Sequence, residues 1–168
     1  MGRRKETTDY LKECIADSMI RLMEHKPLEK INVEAITTLA GVGRATYFRN
    51  FTSKADVLEF KLMSLWRAYM QQVAFPVAGS DYDKALWFFT FCQSIQPILK
   101  LIYKNDQRAV LLDAYFRFTE NMEETADGKN VRFLRMFMSY GSIGIVTEWA
   151  RGGFRETPEE LVSYCLFE

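Results

Sequence analysis

The stretch from Ile31 to Asp56 contains two short helical patterns on either side of a turn that contains glycine. It is INVEAITTLAGVGRATYFRNFTSKAD. Asn32 is a favourable N-cap, and apolar residues recur at helical spacing from there to Ala40. Gly41 can adopt the positive φ that a turn of about three or four residues between crossed helices requires. Two crossed helices joined by a short turn therefore constrain the fold more than any other feature.

The second helix of this stretch, predicted at about Arg44 to Phe51, carries side chains suited to DNA. Gly43 is an acceptable N-cap for it. Its charged, hydroxyl and amide groups can hydrogen-bond to phosphates and to base edges in a major groove. We interpret the stretch as a helix-turn-helix whose second helix is the recognition helix. An ordinary surface hairpin of two helices is the alternative interpretation.

A longer run, AGVGRATYFRNFTSKADVL, resembles the recognition segment of the tetracycline-repressor-like (TetR/AcrR) regulators. In that family an Ala-Gly-Val precedes a small N-cap, four variable residues, an aromatic pair, a basic residue, Phe and Ser-Lys. The match extends from Asp9 to about Leu62, and beyond it the likeness is limited to size and helical character. The resemblance implies a one-component regulator, most often a repressor, that binds a palindromic double-stranded operator as a homodimer.

The resemblance also implies which residues contact DNA. The positions that the family usually directs at base edges are occupied here by Arg44, Ala45, Thr46 and Arg49. The positions that contact phosphates, some of them through helix N-termini, are occupied by Asn32, Val33, Asn50 and Lys54.

One position departs from the family pattern. The family commonly has an apolar residue followed by Tyr, whose hydroxyl contacts a phosphate, whereas this chain has Tyr47 followed by Phe48. A phenyl ring cannot form that hydrogen bond, so we expect Phe48 to contact either a sugar or a thymine methyl group instead. Tyr47 and Phe51 fall where the family packs the core of its head.

The charge is distributed unevenly along a chain of formal net charge +0. Residues 1–54 contain ten Lys and Arg against seven Asp and Glu, which gives +3 and leaves −3 for the rest. A mildly basic head on an acidic body suits localised contact with phosphates, although the asymmetry is small.

The sequence predicts neither a cofactor nor a metal site, and it shows no catalytic signature. The three cysteines (Cys14, Cys92 and Cys165) are scattered, and there is a single histidine. Buried free thiols are the expected state of the cysteines. A charged N-terminus and the lack of a long apolar run predict a cytoplasmic protein that does not associate with a membrane.

Helical periodicity continues along the whole chain and predicts an all-α fold of about nine helices. The predicted domains are a three-helix helix-turn-helix head, residues 1–54, and a helical-bundle effector and dimerisation body, residues 55–168. Gly2 to Lys5 is interpreted as either a basic arm or a solvated terminus. The first helix is predicted to start at Thr8 or Asp9 and to end near His25. The other predicted helices span Lys54–Phe75, Tyr82–Ser94, Ile98–Tyr103, Asp106–Thr125, Val131–Arg151 and Leu161–Phe167.

The body is rich in aromatic residues at helical spacing. Such residues usually form a simple core, but the family buries an effector pocket among these helices, and an apolar pocket suits a hydrophobic or aromatic ligand. Both interpretations stay open. The predicted pocket residues are Trp66, Tyr69, Trp87, Phe88, Phe91 and Phe116.

The last two predicted helices contain small residues among large apolar ones. A glycine inside a helix costs about 1 kcal/mol relative to alanine, so we expect close helix approach to compensate. The resemblance assigns these helices to a four-helix dimer interface, and packing within one chain is the alternative. The predicted interface residues are Met138, Gly141, Ile145, Trp149, Leu161 and Tyr164.

Three classes of function are considered. The chain is either a ligand-responsive regulator or a DNA-binding protein of the same fold that has no small-molecule effector and is regulated by a protein partner. An enzyme is the third class, and no Ser-His-Asp, Cys-His, paired-carboxylate or glycine-rich phosphate signature favours it.

Overall fold

The computed structural model describes the backbone of residues 2–122 and 129–165 and the side chains of residues 7–120 and 132–165. Within these ranges the fold is all-α, with nine α-helices and no strand, which confirms the predicted fold class. A short 3₁₀ helix, Leu28–Lys30, lies between the first two. The helices are α1 (Gly2–His25), α2 (Val33–Ala40), α3 (Arg44–Asn50), α4 (Lys54–Gln72), α5 (Asp81–Ser94), α6 (Gln96–Lys104), α7 (Arg108–Met122), α8 (Lys129–Arg151) and α9 (Pro158–Cys165).

The chain divides into two compact units, Met1–Leu62 (unit 1) and Met63–Glu168 (unit 2). The division falls inside α4, so the N-terminal part of that helix packs in unit 1 and the rest in unit 2. The predicted ends of two helices, at Thr125 and Phe167, lie outside the described residues.

Unit 1 is built around the apolar face of α1, which packs against α2 and α3. Ile15, Met19 and Met23 are fully buried there at helical spacing. The helix begins at Gly2, six residues before the predicted start at Thr8, so the segment predicted as an arm or solvated terminus is helical. Arg, Lys and Glu are good helix formers, and nothing in that segment stops the helix from extending.

Unit 2 packs α5 against α9 and α7 against α8, with α6 between its neighbours in sequence. Two capping boxes define helix starts in this unit. Ser80 Oγ accepts from the N–H of Asp83, and the Asp83 carboxylate accepts from the N–H of Ser80. Thr157 and Glu160 form the same reciprocal pair before α9.

No single helix among the described residues combines the length and the apolar character that crossing a membrane requires. The pair α5 and α6 meets both criteria only when taken together, across a bend of 75°.

Candidate functional site

The start of α2 is fixed by its own side-chain cap. Asn32 Oδ1 accepts a hydrogen bond of 2.8 Å from the N–H of Ala35, and Asn32 is exposed. The predicted contact residue Val33 is the first residue of the helix and is half-buried. The cap orders a helix N-terminus, and such an end favours an anion through its free N–H groups and the helix dipole.

The turn between α2 and α3 depends on Gly41. This residue has a φ of +66°, in the left-handed region that residues with a β-carbon rarely adopt. The N–H of Val42 then donates to the carbonyl of Thr37 at 3.0 Å, which closes the end of α2. The chain thereby changes direction within three residues and enters α3 at Arg44.

The exposed face of α3 carries most of the side chains predicted to contact base edges. Arg44, Ala45 and Arg49 are exposed, whereas Thr46 is half-buried. Phe48 is exposed on the same face. Asn50, predicted to contact a phosphate, donates from Nδ2 to the carbonyl of Thr46 at 2.7 Å, so one of its amide hydrogens is used within the helix.

The two arginines of this face are free to bind an external anion. Within the part of the chain that the structure describes, neither Arg44 nor Arg49 pairs with a carboxylate. By contrast, Lys61 of the same unit pairs with Glu13 at 3.2 Å and with Asp17 at 2.6 Å. Burial alone would lower the pKa of Lys61, but its hydrogen bonds to these carboxylates outweigh burial and raise that pKa.

Tyr47 anchors α3 in the core of unit 1. Its side chain is 1% exposed, and its ring lies 5.9 Å from that of Phe51, which in turn lies 5.7 Å from that of Phe60. Burial raises the pKa of Tyr47, and the nearby carboxylate of Asp56 raises it further. The buried hydroxyl has no hydrogen-bond partner among the described residues, and its burial keeps it away from the exposed face of α3.

Lys54, predicted to contact a phosphate, lies where α4 begins and bonds within the protein. Its Nζ donates to the carbonyl of Ile31 at 2.9 Å and also to the carbonyl of Leu28. An ammonium group has three hydrogens, so one remains for an external acceptor. The side chain thus links α4 to the segment that precedes α2.

The N-terminus of α4 is capped by hydroxyl groups around Asp56. The Asp56 carboxylate accepts from the side chain and the N–H of Thr52, and from Ser53 Oγ at 2.8 Å. These hydrogen bonds stabilise the charged form and lower the pKa of Asp56. The segment between α3 and α4 is therefore ordered by a small polar network.

Five of the six residues predicted to form a pocket lie together in unit 2. The ring of Trp66 is 4.4 Å from that of Phe91, and the ring of Tyr69 is 4.9 Å from that of Trp87. Phe88 also contacts Trp66. The sixth, Phe116, packs instead against Tyr140 of α8, with the ring centroids 5.7 Å apart.

The tryptophans of unit 2 differ in whether their indole N–H groups form hydrogen bonds. Trp87 Nε1 donates to the carbonyl of Val73 at 3.0 Å, and Trp149 Nε1 donates to that of Glu156 at 3.1 Å. Trp66 Nε1 is buried and has no partner among the described residues. A buried donor without a partner is costly, so it is a natural point for a ligand oxygen to bind.

A groove that the sequence did not indicate lies between the start of α7 and the middle of α8. Its volume is about 460 Å³, and Arg108, Leu112, Tyr140 and Gly144 are among its lining residues. No local motif marks these positions, because the groove forms only where the start of α7 packs against the middle of α8.

One face of α8 is apolar and exposed. Among the predicted interface residues, Met138, Gly141 and Tyr164 are exposed and Ile145 is half-buried. The same helix carries further large apolar residues that are exposed, and their helical spacing is visible in the sequence. The exposed large apolar residues of α8 are Phe133, Leu134, Met136, Phe137, Met138 and Tyr140.

Two predicted interface residues belong to the core of unit 2 instead. Trp149 is 3% exposed, and its ring packs against those of Phe89 and Phe154. Leu161 is 6% exposed and lies in α9, which packs against α5. Apolar residues lie on two faces of α8, one exposed and one packed in the core of unit 2. Trp149 lies on the packed face.

Within the described ranges, no group of three or more metal-binding side chains comes together. The three cysteines are free. Cys92 is buried, and burial strongly raises the pKa of its thiol. Cys14 and Cys165 are only half-buried, which differs from the expectation that all three would be buried.

Comparison with protein families gave one informative result. A family model described as the transcriptional regulator C-terminal region, of the TetR type, matches residues 82–166, about half of the chain. The matched region begins within α5 and includes all of α6 to α9. A comparison with curated proteins gave no match.

Proposed function

Because the chain belongs to the TetR family of transcriptional regulators, we propose that it represses transcription by binding a palindromic operator as a homodimer. In this proposal residues 1–54 bind DNA, and residues 55–168 form the dimer and bind a small hydrophobic or aromatic effector. The protein acts in the cytoplasm, and the effector changes its affinity for the operator.

The observation that carries the proposal is the exposed face of α3. Two arginines without carboxylate partners, Arg44 and Arg49, lie there on a helix whose start is set by the turn at Gly41. Arginine pairs well with guanine O6 and N7, and the second helix of a helix-turn-helix lies in the major groove. The capped N-terminus of α2 and the remaining hydrogen of Lys54 supply contacts to phosphates.

DNA binding is tested by fluorescence anisotropy with the duplex upstream of the protein's own gene, titrated at several salt concentrations. We expect tight binding to a short palindrome. The logarithm of the binding constant should fall linearly with the logarithm of the salt concentration. Equal affinity for this duplex and for a scrambled duplex of the same composition would contradict specific operator binding.

The dimer in this proposal forms through α8 and α9. Its support is the exposed apolar face of α8, where Phe133 and Phe137 project beside Gly141 and Gly144. A β-carbon added at either glycine would meet no atom within 4 Å, so packing within one chain does not explain why they are glycine. Close approach of a second copy does explain it. A twofold axis then places two recognition helices about one DNA turn apart.

The effector site in this proposal is the aromatic cluster around Trp66. Its support is the buried Trp66 Nε1, which can donate to an oxygen of an aromatic ligand. Such a ligand controls DNA binding only if it binds two conformations with different affinities, a difference usually worth about 1 to 3 kcal/mol. Matched aromatic compounds with and without an oxygen acceptor, titrated against wild type and Trp66→Phe, test this directly.

One observation favours the alternative, in which a protein partner replaces the small effector. The rings of the cluster already touch each other, as the 4.4 Å between Trp66 and Phe91 shows. An effector would therefore have to separate them. If none of the aromatic compounds changes tryptophan fluorescence or operator affinity, the alternative is preferred.

A further inference from the structure

The exposed face of α3 places one aromatic side chain among its arginines. An α-helix has about 3.6 residues per turn, so Phe48 lies one turn after Arg44 and directly beside Arg49. Phe48 is 57% exposed, so its apolar ring lies among the charged groups of this face. Any surface that meets both arginines must also meet this ring.

The ring of Phe48 is held in place from beneath. Its centroid lies 5.3 Å from that of Tyr47, in an edge-to-face arrangement with the ring planes at 81°. Tyr47 is itself fixed against Phe51 in the core of unit 1. Contact with Tyr47 therefore restrains the Phe48 ring, although the side chain is largely exposed.

A phenyl ring in a major groove has a restricted choice of partners. It has neither a hydrogen-bond donor nor an acceptor, so it gains nothing from phosphates or from the polar edges of bases. The apolar group that the major groove presents is the 5-methyl group of thymine. We propose that Phe48 reads a thymine methyl group in each half-site of the operator, an inference that rests on the proposed DNA binding.

The test removes that methyl group without altering base pairing. The wild-type protein first selects a duplex from a random pool of double-stranded DNA. Each thymine of the selected duplex is then replaced singly by deoxyuridine, and affinity is measured by anisotropy. We expect one thymine per half-site at which the replacement weakens binding about fourfold, the value for burying one methyl-sized group.

The same duplexes are then bound to Phe48→Ala and to Tyr10→Ala, which removes an exposed aromatic ring from α1, outside the recognition helix. Phe48→Ala is expected to bind the thymine and deoxyuridine duplexes equally, while Tyr10→Ala keeps the fourfold preference. Thermal melting checks that both variants are folded.

Three results would overturn the inference in distinguishable ways. If wild type selects a specific duplex but tolerates every deoxyuridine, operator binding stands and the methyl contact fails. If the preference survives in Phe48→Ala, another residue makes the contact. If wild type selects no sequence at all, the proposed function fails and the inference fails with it.

Discussion

Lys54 Nζ donates a hydrogen bond of 2.9 Å to the backbone carbonyl of Ile31, and the first residue of α4 is thereby tied to the residue before the N-cap of α2. A second bond, to Leu28, strengthens the link. The position that the family resemblance assigns to phosphate contact therefore also holds the head together.

Replacing Lys54 by methionine keeps most of the apolar part of the side chain and removes the ammonium group. We expect the free energy of unfolding to fall by about 1 to 2 kcal/mol, because charged hydrogen bonds to two carbonyls are lost. Denaturant unfolding measures this change. Lys30→Met, at an exposed lysine of the neighbouring 3₁₀ helix, is the control and should change stability little. Unchanged stability in Lys54→Met would contradict this structural role for the side chain.

Tyr47→Phe removes a buried hydroxyl that has no partner among the described residues. We expect stability to stay the same or to rise by up to about 1 kcal/mol, because no hydrogen bond is lost and a desolvation cost disappears. The matched control is Tyr103→Phe. Tyr103 OH lies 3.0 Å from Thr147 Oγ1, which itself donates to the carbonyl of Ile143, so Tyr103 is the donor.

Tyr103→Phe should therefore cost about 1 kcal/mol, measured by the same unfolding experiment. A loss of comparable size in Tyr47→Phe would show that its hydroxyl does have a partner in solution.

Asp56 should make the stability of unit 1 sensitive to acid. Its pKa in the folded protein is lowered below the ordinary 3.8 by hydrogen bonds from Thr52 and Ser53. A lowered pKa means that the stabilisation is complete above the ordinary value and is lost as the pH falls through the lower, folded value. At neutral pH, Asp56→Ala should cost about 1 kcal/mol, because the hydrogen bonds from Thr52 and Ser53 to the carboxylate are lost.

The difference in unfolding free energy between wild type and Asp56→Ala should shrink as the pH falls below 3.8. Thr52→Val removes one donor and keeps the carboxylate, so it should show only part of the effect. A difference that does not change with pH would exclude this role for the carboxylate.

Phe137→Lys tests the dimer interface. Phe137 is 74% exposed on the apolar face of α8, and a charge there should prevent a second copy from packing against it. Val77→Lys is the matched control, because Val77 is 76% exposed but lies between α4 and α5. Sedimentation should show a monomer for Phe137→Lys and a dimer for Val77→Lys. A dimer in both variants would place the interface elsewhere.

Most of the helices could be predicted from sequence because their signals are local. Asn32, Gly41 and Ser80 mark helix ends through hydrogen bonds or φ values that depend on only a few neighbouring residues. The early start of α1 was missed because good helix formers extend a helix without any marker. Once the bounds of α3 are known, helical spacing predicts which of its residues lie on the exposed face.

What the sequence could not reveal depends on packing between distant segments. Trp149 and Phe116 have the same apolar character as their neighbours, and only the packed helices decide which face of each turns inward. The internal bonds of Lys54 and the groove beside Tyr140 likewise join residues far apart in sequence.

The central claim, that α3 reads bases, is tested most directly by measuring the operator specificity of Arg49→Ala. Affinities for the operator and for a scrambled duplex are compared by anisotropy across a salt series, with Arg21→Ala, an exposed arginine of α1, as control. We predict that Arg49→Ala loses about 1 to 3 kcal/mol of discrimination and Arg21→Ala loses none. Equal discrimination by wild type and Arg49→Ala would contradict base readout by this residue.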